Sequence, residues 1–151
     1  MKLFAKKSLG QHFLNSTHVL ERIIATANIK EGETVLEIGP GTGILTRALL
    51  KSGAKVVAVE KDQRAIGMLE QDFFTEIGEK RLQIIEGDIL DSQISNLQSL
   101  ISGQYALIAN IPYYITGAIL EKFLEHAPRP NRMILLVQKE VATRIVARDG
   151  K

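Results

Sequence analysis

Thr34-Val35-Leu36-Glu37-Ile38-Gly39-Pro40-Gly41-Thr42-Gly43 is the stretch on which the fold turns. A short apolar run leads straight into a glycine turn, and the turn opens a helical pattern from about Ile44 to Lys51 that closes near Gly53. Strand, turn and helix in that order begin a βαβ unit. Glycines let the backbone approach a ligand closely, and the helix start offers free N–H groups. A dinucleotide fingerprint would place its third glycine at position 44, which is Ile44. The spacing is G-x-G-x-G instead, which argues against pyrophosphate readout and leaves room for a cofactor without phosphates.

Outward from this unit, short apolar strands alternate with helical patterns, the signature of an α/β protein with a parallel sheet. Val19, Leu20, Ile23, Ile24 and Ala27 predict an opening helix with Asn15 or Ser16 as its N-cap. Lys55 to Val59 is the second strand, and Asp62 caps a helix whose face is Ala65, Ile66, Leu69 and Phe73, despite Gly67. Leu82 to Ile85 makes a third strand. A polar stretch from Asp88 to Gln104 contains a short helix around Ile94 to Leu100. Tyr105 to Ala109 is the fourth strand, Thr116 to His126 a helix ended by Pro128 and Pro130, Arg132 to Val137 the fifth strand, and Glu140 to Ala147 a last helix.

The 151 residues suffice for one domain with a real core, and 45% hydrophobic residues is ordinary for a globular protein. The chain therefore reads as a single domain over 1–151. With no cysteine there is neither a disulfide framework nor a Cys-ligated metal, which fits a reducing compartment. His12, His18 and His126 lack metal-ligand spacing, so no metal is expected. No long apolar segment follows the basic start, so the expectation is a cytoplasmic protein without membrane contact. Net charge is only +2, but Lys2, Lys6 and Lys7 crowd the start, and Arg129, Arg132, Lys139, Arg144, Arg148 and Lys151 crowd the end. Either cluster could contact phosphates.

Ligands of open parallel sheets bind outside the carboxyl ends of the strands, where the suggestive residues of this chain fall. Glu60 closes the second strand, and a carboxylate there can accept hydrogen bonds from both hydroxyls of a ribose. Asp88, after the third, can accept from an adenine amine. Asn110-Ile111-Pro112-Tyr113 follows the fourth. An exocyclic amine on a base is a poor nucleophile because its lone pair is delocalised into the ring. The Asn110 amide oxygen and a neighbouring carbonyl can accept from such an amine and aim its lone pair, Pro112 stiffens the turn, and Tyr113 offers a ring for stacking. Stacking on an aromatic is worth about 1 to 3 kcal/mol per base. S-adenosylmethionine fits this set, with adenosine at Asp88 and Glu60, its amino-acid tail near Gly39 and Gly41, and its sulfonium facing Asn110.

Lys7-Ser8-Leu9-Gly10-Gln11-His12-Phe13-Leu14, the glycine loop, Asn110-Ile111-Pro112-Tyr113-Tyr114-Ile115-Thr116 and Gln138-Lys139-Glu140-Val141-Ala142 together resemble the ribosomal RNA adenine N6-dimethyltransferases, over essentially the whole chain. The nearest resemblance is to the small-subunit type, which dimethylates two adjacent adenosines near the 3′ end of 16S ribosomal RNA. It implies a Rossmann-like methyltransferase fold, with the small ribosomal subunit precursor as partner and a monomer when intact. It also implies cofactor contacts at His12, Leu14, Gly39, Glu60, Asp88 and Asn110, and target-adenine contacts at Asn110 and Tyr113. The family fold continues beyond Lys151 with two further strands, a second base-stacking aromatic and a small helical domain. The resemblance thus implies a C-terminally incomplete chain whose Met133 to Val137 strand presents an unpaired apolar edge. The erythromycin-resistance methylases of large-subunit RNA share the core and stand second. A DNA-adenine or protein-glutamine methyltransferase and a non-catalytic ribosome-assembly factor remain alternatives.

Overall fold

A computed structural model describes residues 15–91, 97–101, 103–126 and 128–147, together with the backbone but not the side chain of Tyr113. The described chain runs α1 (Thr17–Ala27), β1 (Thr34–Ile38), α2 (Ile44–Lys51), β2 (Lys55–Glu60), α3 (Gln63–Asp72), α4 (Phe74–Gly78), β3 (Leu82–Glu86), α5 (Leu97–Leu100) and β4 (Tyr105–Asn110). A 3-10 turn (Tyr113–Ile115), α6 (Thr116–Glu125), β5 (Arg132–Leu136) and α7 (Lys139–Ile145) follow. All strand pairs are parallel, in the order β3-β2-β1-β4-β5.

Alternation along the central strands feeds two cores, one on each face of the sheet. Val35 of β1, Val56 and Ala58 of β2 and Ala106 and Ile108 of β4 pack with Ile23, Leu45, Leu49, Leu69 and Phe73 from α1, α2 and the α3 region. Leu36, Ile38, Val57, Val59, Leu107 and Ala109 pack on the other side with Leu97, Ile119 and Phe123 from α5 and α6. Strands buried on both faces read as nearly continuous apolar runs, which is why β1, β2 and β4 stood out in the sequence. Among the described residues no helix is long and apolar enough to cross a membrane.

Three strands run one residue further than the hydrophobic pattern indicated. Glu60 pairs with Glu86 and Asn110 with Leu136, because a polar side chain at the strand end does not prevent backbone pairing. Ser16 takes the first N-cap, and the Asp62 side chain caps α3 by accepting from the Arg64 N–H. The expected single helix through Phe73 is broken at that residue. Phe73 has φ −117° and ψ 27°, outside helical values, and its fully buried ring fills the space beside Gly43. A Cβ on Gly43, whose φ is +84°, would lie 2.6 Å from that ring, and the Arg47 guanidinium sits 4.7 Å from the ring centre. Gly43 is therefore a packing glycine that lets α2 approach the α3–α4 junction.

β5 is an edge strand among the described residues, joined only to β4, and all five of its residues are half-buried. Arg132 anchors its start: the guanidinium donates to Glu33 Oε1 at 2.6 Å and Oε2 at 2.8 Å, and to the Ala27 carbonyl at 2.7 Å. That hydrogen-bonded pairing holds the Glu33 carboxyl below the usual carboxylate range.

Candidate functional site

Strand register brings the ends of the strands level. Ile38 pairs with Val59 on one side and Ala109 on the other, so Gly39, Glu60 and Asn110 each stand one residue beyond a shared row. Glu60 pairs in turn with Glu86, two residues before Asp88. The chain builds outward from β1 through β2 to β3, then returns to lay β4 on the other side of β1. Ligand crevices of open α/β sheets open at such a reversal, which here lies between the Gly39 loop and the Asn110 loop.

The glycine loop is held by two buried carboxylates, each 1% exposed. Glu60 accepts at Oε2 from the Gly41 N–H at 3.1 Å, and at Oε1 from the Lys61 and Asp62 N–H groups at 3.0 Å each. It thus ties the loop after β1 to the turn after β2. Glu37, which falls on the same face of β1 as Val35, accepts from the Thr46 hydroxyl at 2.6 Å and so ties β1 to α2. Burial pushes the Glu37 carboxyl up to about 8, with the neighbouring Glu60 charge acting in the same direction. Neither Glu37 nor Thr46 was singled out from the sequence. A Glu inside an apolar strand followed by a Thr in the next helix was the available signal.

The three loop glycines differ in what they do. Gly39, Gly41 and Gly43 all have positive φ, at 65°, 58° and 84°. Gly39, unlike Gly43, has no described atom within 4 Å of where a Cβ would lie. Its backbone conformation needs glycine, and among the described residues the space before it is open. Gly41 is buried and its N–H is engaged by Glu60.

On the other side of the reversal, Asn110 is half-buried at the end of β4. The Pro112 carbonyl accepts from the Ile115 N–H at 3.2 Å and the Thr116 hydroxyl at 3.3 Å, which fastens the tetrapeptide to the start of α6. Asp88 is exposed and folds its own turn: Oδ1 accepts from the Leu90 N–H and the backbone carbonyl from the Asp91 N–H. Of the residues singled out from the sequence, Gly39, Gly41, Glu60, Asp88, Asn110 and Pro112 gather at this edge. His12, Leu14 and the Tyr113 side chain lie outside the described residues.

The acceptor set suits a ligand that carries hydroxyl and amine donors. Acidic side chains stand beside the crevice at Glu60 and Asp88, and no described atom lies within 4 Å of where a Cβ on Gly39 would be. Elsewhere, Glu121, Glu125 and His126 bring ligand-type atoms within 4.8 Å of one another at the exposed end of α6, a grouping that linear spacing had not revealed.

A family model described as ribosomal RNA adenine dimethylase matches residues 3–151. The chain is 46% identical to a ribosomal RNA small subunit methyltransferase A from Dehalococcoides mccartyi, over 98% of this chain and 50% of that protein. A dimethyladenosine transferase from Plasmodium falciparum superposes with a TM-score of 0.74 at 34% identity, over 90% of this chain and 46% of that one. The 23S rRNA methyltransferase ErmE gives 0.68 at 31% identity, over 87% and 50%. The chain spans about half the length of the curated relatives it matches.

Proposed function

Given that the chain belongs to the ribosomal RNA adenine dimethylase family, we propose that it acts in transferring methyl groups from S-adenosylmethionine to N6 of two adjacent adenosines near the 3′ end of 16S ribosomal RNA. The observation that carries this reading is the register, which sets Gly39, Glu60 and Asn110 level around the strand-order reversal, with Asp88 two residues beyond the Glu86 that pairs with Glu60. We read residues 1–151 as one cofactor-binding domain of a protein that works in the cytoplasm on the small ribosomal subunit precursor, monomeric when intact and without a metal.

When bound, S-adenosylmethionine supplies an electrophilic methyl group on a sulfonium sulfur. Asp88, exposed beyond β3, accepts from the adenine amine, and Gly39 gives the amino-acid tail its open backbone. Glu60 serves the ribose hydroxyls. Its carboxylate is 1% exposed and engaged by Gly41, so Glu60 would take a ribose hydroxyl beside the Gly41 N–H, with the glycine loop adjusting to admit it. His12 and Leu14 are assigned to the cofactor by resemblance alone.

Asn110 accepts a hydrogen bond from the target amine and turns its lone pair toward the methyl group. Pro112 restricts the turn, and Tyr113 contributes a stacking face. Holding the reactants in line can supply about 7 to 11 kcal/mol of the barrier, so the work falls on positioning. The methylated amine becomes acidic and releases its proton to water without a strong base. Calorimetric titration with S-adenosylmethionine tests the cofactor part. Saturable binding weakened by Asp88→Ala supports it, and absence of binding by the folded protein overturns it.

A further inference from the structure

Lys122 reaches from α6 across to the loop after β3. Its ammonium donates to the Ile89 carbonyl and, at 3.2 Å, to the Asp91 carbonyl. Those two carbonyls bracket the turn that Asp88 closes from within, through its bonds to the Leu90 and Asp91 amides. The turn is pinned beneath by Ile89, which is 4% exposed and shares a core with Ile119 and Phe123 of the same helix. α6 therefore has two attachments to the candidate site. Thr116 holds the Pro112 carbonyl at its start, and Lys122 holds the Asp88 turn almost two helical turns later.

A lysine ammonium is a compact donor of three hydrogen bonds with no acceptor capacity, well suited to gather backbone carbonyls from a segment lacking regular structure. We infer that Lys122 is a positioning residue, which fixes the Asp88 turn relative to the Asn110–Tyr113 turn and thereby sets cofactor affinity through Asp88. This rests on the proposed role of Asp88 as the adenine contact. In this role Lys122 acts through the backbone of the turn, by its bonds to the Ile89 and Asp91 carbonyls.

Lys122→Met keeps the apolar stem and removes the donors, while Lys122→Arg restores a cationic donor at the same place. The first readout is hydrogen exchange at the Leu90 and Asp91 amides in the protein without ligand, which is independent of any cofactor. Lys122→Met should speed exchange there at least tenfold while the β1 and β4 amides stay protected, with Lys122→Arg restoring much of the protection. Unchanged exchange at Leu90 and Asp91 would overturn the inference. The second readout is S-adenosylmethionine affinity, expected to fall about tenfold in Lys122→Met but not to fall further when Lys122→Met is added to Asp88→Ala. An equal drop in both backgrounds would overturn the action through Asp88. If the parent protein binds no S-adenosylmethionine, the cofactor reading and the affinity claim fail together, while the exchange result still decides whether Lys122 orders the turn.

Discussion

The Gly41 N–H donates to Glu60 Oε2 at 3.1 Å, joining the middle of the glycine loop to the end of the neighbouring strand. The bond makes the proposed ribose acceptor part of the loop's own scaffold, so the Gly41 amide reports on filling of the site. Adding S-adenosylhomocysteine should move the Gly41 amide resonance more than that of Gly43, whose N–H bonds to the Pro40 carbonyl at 3.0 Å. A shift at Gly43 with none at Gly41 would count against ribose contact at Glu60.

Gly39 and Gly43 should fail differently when given a side chain. Gly43→Ala meets the Phe73 ring at 2.6 Å with φ at +84°. Overpacking costs about 1–3 kcal/mol and the left-handed backbone about 1–2 more. Gly39→Ala meets no described atom within 4 Å, so its folding cost is chiefly the backbone part, about 1–2 kcal/mol, while the space above it is filled. Urea unfolding should rank Gly43→Ala as less stable, and calorimetry should show Gly39→Ala losing more S-adenosylmethionine affinity than its stability loss explains.

Glu37 gives stability a pH dependence of definite sign. Its folded carboxyl titrates at about 8, above its unfolded value, so the unfolded chain sheds this proton first as pH rises. The contribution is fully present below the unfolded value near 4.5 and is lost as pH climbs to about 8. Glu37→Gln should therefore gain thermal stability relative to the parent between pH 5 and 8. Parallel melting profiles across that range would refute a protonated Glu37.

The Arg132–Glu33 pair joins the start of β5 to the turn before β1, and the same guanidinium holds the Ala27 carbonyl at the end of α1. Arg132→Met should cost about 2 kcal/mol, since hydrogen bonds to charged groups contribute about 1.5–3 and this site is partly exposed. Arg132→Lys keeps the charge but cannot span both carboxylate oxygens and a carbonyl. Equal unfolding midpoints for Arg132→Lys and the parent would show the fork to be unimportant.

Asn110→Ala should abolish methyl transfer in the intact protein while reducing S-adenosylmethionine affinity only in part. Single-turnover rates and calorimetric affinities measured together check this, and equal losses in both would make Asn110 chiefly a cofactor ligand.

β1 and α2 were legible to the residue because an apolar run, a glycine turn and a helical period abut there without ambiguity. The gathering of Gly39, Glu60, Asp88 and Asn110 at one edge was legible too, since each stands at or just beyond the end of a strand of a parallel sheet. Register and side-chain direction were less accessible. Glu60 looked like a free strand-end acceptor, yet the fold turns its carboxylate onto three backbone amides. Phe73 fits a helical face by period, but its packing beside Gly43 breaks the helix at that point. Lys122 carries no local signal at all, because its partners lie more than thirty residues away.

The central claim is the chemistry at an adenine amine, and nucleoside analysis by mass spectrometry tests it directly. Small ribosomal subunits lacking dimethyladenosine, incubated with the intact protein and S-adenosylmethionine, should yield N6,N6-dimethyladenosine in 16S ribosomal RNA, at two adjacent positions near the 3′ end. No methylated adenosine, or methylation confined to 23S ribosomal RNA offered in the same reaction, would contradict it.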